Sequence, residues 1–71
     1  MEKYIFAFPS VTIAIKAKTI LKSSGYRTDM IRTPKNLSSG CGYSVVAEGD
    51  LETISEILSE EEIIPRAVGK A

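Results

Sequence analysis

Histidine and cysteine, two residue types widely used for metal binding and catalysis, are almost missing from this sequence. It contains no histidine and one cysteine, Cys41. A lone cysteine cannot form a disulfide within the chain, and a zinc site built by one chain needs several such ligands. There is also no glycine-rich phosphate loop and no close pair of carboxylates in a loop. We therefore expect no metal site, and a protein without an intrinsic catalytic centre rather than an enzyme.

Long apolar runs are missing as well. The longest is far shorter than the roughly 20 residues needed to span a bilayer. The N-terminus, MEKYIFAF, passes from charged residues straight into a strand-like alternation and contains no signal-peptide cleavage site. A free thiol suits a reducing compartment. We expect a cytoplasmic protein with no membrane partner, folded as one domain over residues 1–71.

The net charge is zero, but basic and acidic residues are separated along the chain. Residues 1–35 contain seven Lys or Arg and two acidic residues, whereas residues 36–62 contain seven acidic residues and no Lys or Arg. Such asymmetry is typical of a basic face for an anionic partner, or of two helices with oppositely charged solvated faces. The charges fall at positions expected to be exposed, which favours the second interpretation.

Binding of RNA through stacked aromatics is not indicated. Tyr4, Phe6 and Phe8 alternate along the first predicted strand, but this face is more simply the core face. The segment 43–48 adds only Tyr43. RNA-binding modules of this size stack bases on aromatics of their central strands. We therefore expect no nucleic-acid partner.

Periodicity and turn residues divide the chain into six elements. Period-two alternation predicts strands, and apolar spacing of three and four predicts helices. Ser10 and Asp50 are the predicted N-caps. Pro65 cannot donate to a strand ladder, so the last strand is predicted at a sheet edge. In chain order we predict a strand Lys3–Phe8, a helix Val11–Ser24, strands Tyr26–Arg32 and Tyr43–Glu48, a helix from Leu51 that ends near glutamates 60 to 62, and a strand Ile63–Val68.

The element order β-α-β-β-α-β with right-handed crossovers predicts a ferredoxin-like α+β fold. We expect a four-stranded antiparallel sheet in the order 4-1-3-2, with two helices on one face. The first strand is then central, in agreement with its aromatic residues, and the last lies at an edge. The predicted buried helix residues are Ile13, Ala14, Ala17, Ile20 and Leu21 in the first helix and Leu51, Ile54, Ile57 and Leu58 in the second.

The longest segment without helix or strand character, Thr33–Gly42, contains Cys41. A hairpin needs only about two to five connecting residues, and long loops in small domains often carry function. The glycines on both sides of the cysteine let backbone N–H groups converge on an anion. Arg32 and Lys35 flank the start of the loop, and nearby cations lower the pKa of a thiol. From these residues alone, a reactive thiol and a buried structural cysteine stay equally open.

The loop sequence P-K-N-L-S-S-G-C-G, Pro34 to Gly42, resembles the P-x-x-L-S-S-x-C-G signature of the selenium/sulphur carrier protein-like family. The motifs F-P-S at 8–10 and L-K-x-x-G at 21–25 are similar to that family too. The resemblance implies that Cys41 is a carrier thiol with no bound cofactor other than covalently held sulphur or selenium. It implies a donor enzyme such as a cysteine desulfurase, and an acceptor protein. The remaining site residues are Leu37, Ser38, Ser39, Gly40 and Gly42, expected to shape the loop, and Arg32 and Lys35, expected to support the thiolate.

Two other hypotheses stay open from the sequence. One is an ACT-like regulatory module that senses a small ligand, dimerises through a sheet edge and uses Cys41 only incidentally. The other is an interaction subunit that docks through a helix face. That face carries Val11, Ile15, Lys18 and Lys22. A homodimer is compatible with each hypothesis.

Overall fold

A computed structural model describes residues 2–35 and 42–71 of the chain. Among these residues the order of elements is β-α-β-β-α-β, as predicted. The elements are β1 (Lys3–Phe8), α1 (Val11–Ser23), β2 (Arg27–Arg32), β3 (Tyr43–Glu48), α2 (Leu51–Glu60) and β4 (Ala67–Lys70).

The strands form one sheet in the order β2-β3-β1-β4, which is the predicted order 4-1-3-2 counted from the other edge. All three neighbouring pairs are antiparallel. β1 is central, with Phe6 opposite Val45 of β3 and Val68 of β4. β2 pairs only with β3, so β2 and β4 are the two edges.

The core lies between one face of the sheet and both helices. Phe6 and Phe8 of β1 are buried in one cluster with Leu21 of α1 and with Ile54 and Leu58 of α2. Burying each of these large apolar side chains contributes about 1.5–3 kcal/mol relative to exposure. Because both helices share this cluster with β1, they pack on the same side of the sheet. The alternation of β1 and β3 therefore predicted the buried face correctly.

Both helices begin at the predicted caps. The Ser10 hydroxyl accepts from the Ile13 N–H at 3.3 Å, and an Asp50 carboxylate oxygen accepts from the Thr53 N–H at 3.1 Å. Such contacts satisfy N–H groups that have no partner within the helix. The prediction that Ile13 is buried was wrong, since it is 37% exposed. It lies in the first turn of α1, outside the stripe formed by Ala14, Ala17 and Leu21.

The last strand starts later than predicted. Residues after α2 form a tight turn in which the Ile63 N–H donates to the Leu58 carbonyl at 2.9 Å, and Glu62 adopts a positive φ of 59°. This turn buries Ile63 and leaves Ile64 80% exposed. β4 therefore begins at Ala67 rather than at Ile63, and it extends two residues past the predicted end, to Lys70.

Candidate functional site

The chain enters and leaves segment 36–41 at one end of the sheet. β2 ends at Arg32 and β3 begins at Tyr43, and these residues are partners in the ladder. Tyr43 also faces Phe8, the last residue of β1. α1 starts only three residues after Phe8, at Val11. Three features therefore meet here: the end of the central strand β1, the N-terminus of α1, and the two loop stems, which are residues 32–35 and 42–43.

Two hydrogen bonds hold the stems of this loop together. The Thr33 N–H donates to the Gly42 carbonyl at 3.1 Å, which extends the β2–β3 ladder by one rung. The Thr33 and Ser44 hydroxyl oxygens lie 2.8 Å apart and share a hydrogen bond. Ser44 is completely buried, and a buried hydroxyl without a partner is costly. Thr33 therefore satisfies a polar group that the fold has removed from water.

Gly42 sits against the backbone of β1. A Cβ built on it would lie 2.8 Å from the Phe8 carbonyl oxygen and 3.5 Å from Thr33 Oγ1. The first distance is shorter than any ordinary carbon–oxygen contact, and the oxygen belongs to the main chain of the central strand. The close approach of this main-chain oxygen is a sufficient reason for glycine at position 42.

The electrostatic setting of the loop stems is positive. Arg32 and Lys35 are both exposed at the end of β2 and just beyond it. The first turn of α1 contains no acidic residue, so the partial positive charge of the helix N-terminus is not neutralised within its own helix. The Arg66 N–H donates to the Ala7 carbonyl at 2.7 Å, which brings the start of β4 to the same end of the sheet.

The predicted site residues divide into two groups. Arg32, Lys35 and Gly42 lie at the loop stems, and the supporting and shaping roles given to them stay predictions. The other predicted residues lie outside the described part of the chain, and their roles stay predictions. They are Leu37, Ser38, Ser39, Gly40 and Cys41.

Sequence reasoning missed the roles of Thr33, Ser44 and Phe8 at this site. Thr33 and Ser44 are diagonal neighbours once the ladder is extended past Arg32 and Tyr43, and such pairs lie within reach across two strands. Alternation along the two strands puts both hydroxyls on one face of the sheet once the ladder register is known, and this alternation is the signal that the sequence offers. The contact of Gly42 with Phe8 has no such signal because it depends on how β1 and the loop stem approach each other.

A second polar cluster lies at the opposite end of β1. Glu2 receives a hydrogen bond from the Tyr4 hydroxyl at 2.6 Å and pairs with the Lys70 ammonium at 2.6 Å. Lys70, followed by Tyr4, holds the pKa of the Glu2 carboxyl below its ordinary value. Glu2 in turn raises the pKa of both Lys70 and Tyr4. This cluster joins the start of β1 to the end of β4.

Residues 2–35 and 42–71 lack two further features. Within these ranges no helix has the length and apolar character needed to cross a membrane. The same residues contain no group of three or more His, Cys, Asp or Glu side chains that could hold a metal ion.

Comparison with models of protein families gives a match over nearly the whole chain. A model of the family described as "Putative Se/S carrier protein-like" matches residues 3–69, nearly the whole chain. No curated protein matches the chain, and no solved structure does.

Proposed function

Because this chain belongs to the Se/S carrier protein-like family, we propose that it carries a sulphur or selenium atom on Cys41. The observation that carries the proposal is the family match together with the presence of a single thiol. A carrier of a chalcogen atom needs a nucleophile that can bond to it reversibly, and thiolate is the side chain suited to that exchange. Cys41 is the one cysteine in the sequence.

Loading proceeds by thiolate exchange. The Cys41 thiolate attacks the terminal sulphur of a donor persulfide, R–S–SH. A new S–S bond forms to Cys41, the donor S–S bond breaks, and the donor thiolate leaves with the bonding electron pair. A donor selenopersulfide, R–S–SeH, transfers selenium in the same way. Delivery repeats the exchange, with an acceptor thiolate as the nucleophile and the Cys41 thiolate as the leaving group.

The charges around the loop stems support the proposal. Arg32 and Lys35 are exposed cations next to the loop, and the N-terminus of α1 is at the same end of the sheet. Cations and helix N-termini favour thiolate over thiol. A larger thiolate fraction speeds loading, and it also makes Cys41 a better leaving group on delivery.

The firm anchoring of the loop stems supports it as well. Thr33 and Gly42 are held by a backbone hydrogen bond of 3.1 Å, and Gly42 is packed against Phe8. Gly42 directly follows Cys41 in the sequence, so the residue next to the carrier residue is tethered to the central strand. A fixed attachment reduces the freedom that a partner must remove when it docks.

The test is enzymatic loading followed by intact mass spectrometry. The protein is incubated with a cysteine desulfurase and cysteine, or with the corresponding selenium donor, and analysed without reductant. We expect the mass of one sulphur or one selenium atom to be added to the wild type and not to Cys41→Ser.

A relocated thiol provides the matched control. Ser55 is exposed on α2, so Cys41→Ser/Ser55→Cys keeps one accessible cysteine but moves it away from the loop. Loading of the wild type well above this variant supports the proposal. Equal loading of the two would show that any exposed thiol is modified, and no loading of the wild type by an active donor would exclude the carrier function.

A further inference from the structure

β2 is an open edge of the sheet. It has six residues and contains no proline. The opposite edge, β4, has four residues and is preceded by Pro65. Proteins usually block exposed edges with proline, bulges or short strands, because an open edge can pair with another strand. β4 is short and has a proline nearby, whereas β2 has neither feature and carries the charged residues Arg27, Asp29 and Arg32.

The ladder determines which backbone groups of β2 are free. The Thr33 N–H donates to the Gly42 carbonyl, and the same two strands are in register down to Arg27 opposite Glu48. Hydrogen-bonded pairs alternate along an antiparallel ladder. The odd-numbered residues of β2 therefore bond to β3, and Thr28, Met30 and Arg32 direct their N–H and C=O groups away from the sheet.

Besides its outward backbone groups, Thr28 has a side-chain hydroxyl without a hydrogen-bond partner. Its Oγ1 is buried and finds no hydrogen-bond partner, and it is the one such side-chain oxygen or nitrogen among the residues described. Native structures rarely leave a buried hydroxyl unpaired. The unpaired hydroxyl and the outward backbone groups belong to the same residue of the open edge.

We propose that β2 pairs antiparallel with β2 of a second copy of this chain, around a two-fold axis at Thr28. The two Thr28 residues then exchange backbone hydrogen bonds, and their hydroxyls become neighbours on the same face. Thr–Thr pairs across antiparallel strands form hydrogen bonds. The two four-stranded sheets become one continuous sheet of eight strands.

Charge complementarity selects this register. With the axis at Thr28, Arg27 of each copy faces Asp29 of the other, on the sheet face opposite the helices. Neither residue forms an ion pair with another described residue. An axis at Asp29 would oppose two like charges directly, and an axis at Met30 would place Asp29 against Ile31. Opposite charges across strands stabilise a pair, and like charges destabilise it.

The neighbouring helix is compatible with this arrangement. Ile15, Lys18, Thr19 and Lys22 of α1 line a groove beside Met30 of β2. Lysine side chains can lie along an apolar surface while their ammonium groups extend into water. Because the two β2 strands run in opposite directions, the loop stems of the two copies lie at opposite ends of the shared sheet. Two carrier sites would therefore be served by separate partners.

A charge swap tests the register. Sedimentation equilibrium is measured on the full chain and on Arg27→Asp, Asp29→Arg and the double variant. Each single variant replaces two attractive pairs with two repulsive ones, so we expect dimerisation to weaken about tenfold or more. The double variant rebuilds both pairs in reverse and is expected to restore dimerisation. A monomeric wild type, or a double variant no better than the single ones, would overturn the proposal.

A cysteine cross-link gives an independent result if a charged variant folds poorly. A residue on the axis lies next to its own copy, with Cα atoms about 5.5 Å apart in a hydrogen-bonded pair, which is within disulfide range. Thr28→Cys in a Cys41→Ser background should form a covalent dimer on mild oxidation. Cys41→Ser/Ser55→Cys should do so far more slowly, and equal rates for the two would contradict the proposed interface.

Discussion

Replacing Gly42 with alanine tests whether the loop is anchored to the central strand. The added Cβ would lie 2.8 Å from the Phe8 carbonyl oxygen. That oxygen cannot move alone, because Phe8 is paired with Tyr43 in the β1–β3 ladder. Either the loop stem or the end of β1 has to shift. A shift of the stem strains the bond from the Thr33 N–H to the Gly42 carbonyl, and a shift of β1 strains its pairing with Tyr43.

The expected loss of unfolding free energy follows from the size of this clash. Inserting a carbon where no space exists typically costs about 1–3 kcal/mol in unfolding free energy. The neighbouring atom is main chain on a central strand, so we expect a value near the middle, about 2 kcal/mol. For a domain of this size that corresponds to a decrease in Tm of roughly 8–16 °C.

Urea and thermal unfolding of Gly42→Ala and wild type give both quantities, and sulphur loading measures the functional effect. Gly25→Ala is the comparison variant. It adds the same methyl group at a position with nothing within 4 Å, where the strain comes only from a φ of +94°. Both variants should lose stability, but only Gly42→Ala should slow loading of Cys41. A loss below about 0.5 kcal/mol for Gly42→Ala, the range of unconstrained surface substitutions, would refute the anchoring argument.

Two further predictions concern the polar contacts at the two ends of the sheet. Thr33→Val leaves the buried Ser44 hydroxyl without a partner and should cost about 1–3 kcal/mol by urea unfolding. The double variant with Ser44→Ala should lose less than the sum of the single losses, and strict additivity would show that the hydroxyls are not coupled. At the other end, the pKa of Glu2 is lowered in the folded protein. Its pairing therefore stabilises the fold at pH values above the pKa of an unfolded glutamate, about 4.3. This stabilisation disappears as the pH falls through the lower pKa of the folded state. On acidification from pH 6 to pH 3 at low salt, the Tm of Lys70→Met should therefore decrease less than the Tm of the wild type. Equal decreases would contradict the pairing. High salt should remove the difference, because it screens the charges.

Much of the fold could be predicted because it depends on local chemistry. Ser10 and Asp50 cap helices through their own side chains, and the alternation of Phe6 and Phe8 with smaller residues marks a buried face at any position in a sheet. The start of β4 could not be predicted in this way. Ile63 has the composition of a strand residue, but it closes the turn after α2 because its N–H bonds to Leu58. Periodicity does not distinguish a buried turn residue from the first residue of a strand.

The site was predictable only in part for the same reason. Arg32, Lys35 and Gly42 lie at the end of, or between, the two predicted strands that flank the cysteine, so their position at the loop stems followed from those strands. The link between Thr33 and Ser44 needed the ladder register, since the two residues are eleven positions apart. The roles of Cys41 and of residues 37 to 40 still rest on the sequence and on family membership.

By itself, the sequence determined the kinds and order of the elements, most of their buried residues, and the presence of one thiol between the second and third strands. These properties follow from the period of apolar residues, from capping side chains and from composition. Only the tertiary structure decided that Gly42 abuts the Phe8 carbonyl, and that Thr28 keeps a buried hydroxyl without a partner at an open edge. Such properties depend on distances between strands that are remote in sequence, which no local pattern encodes.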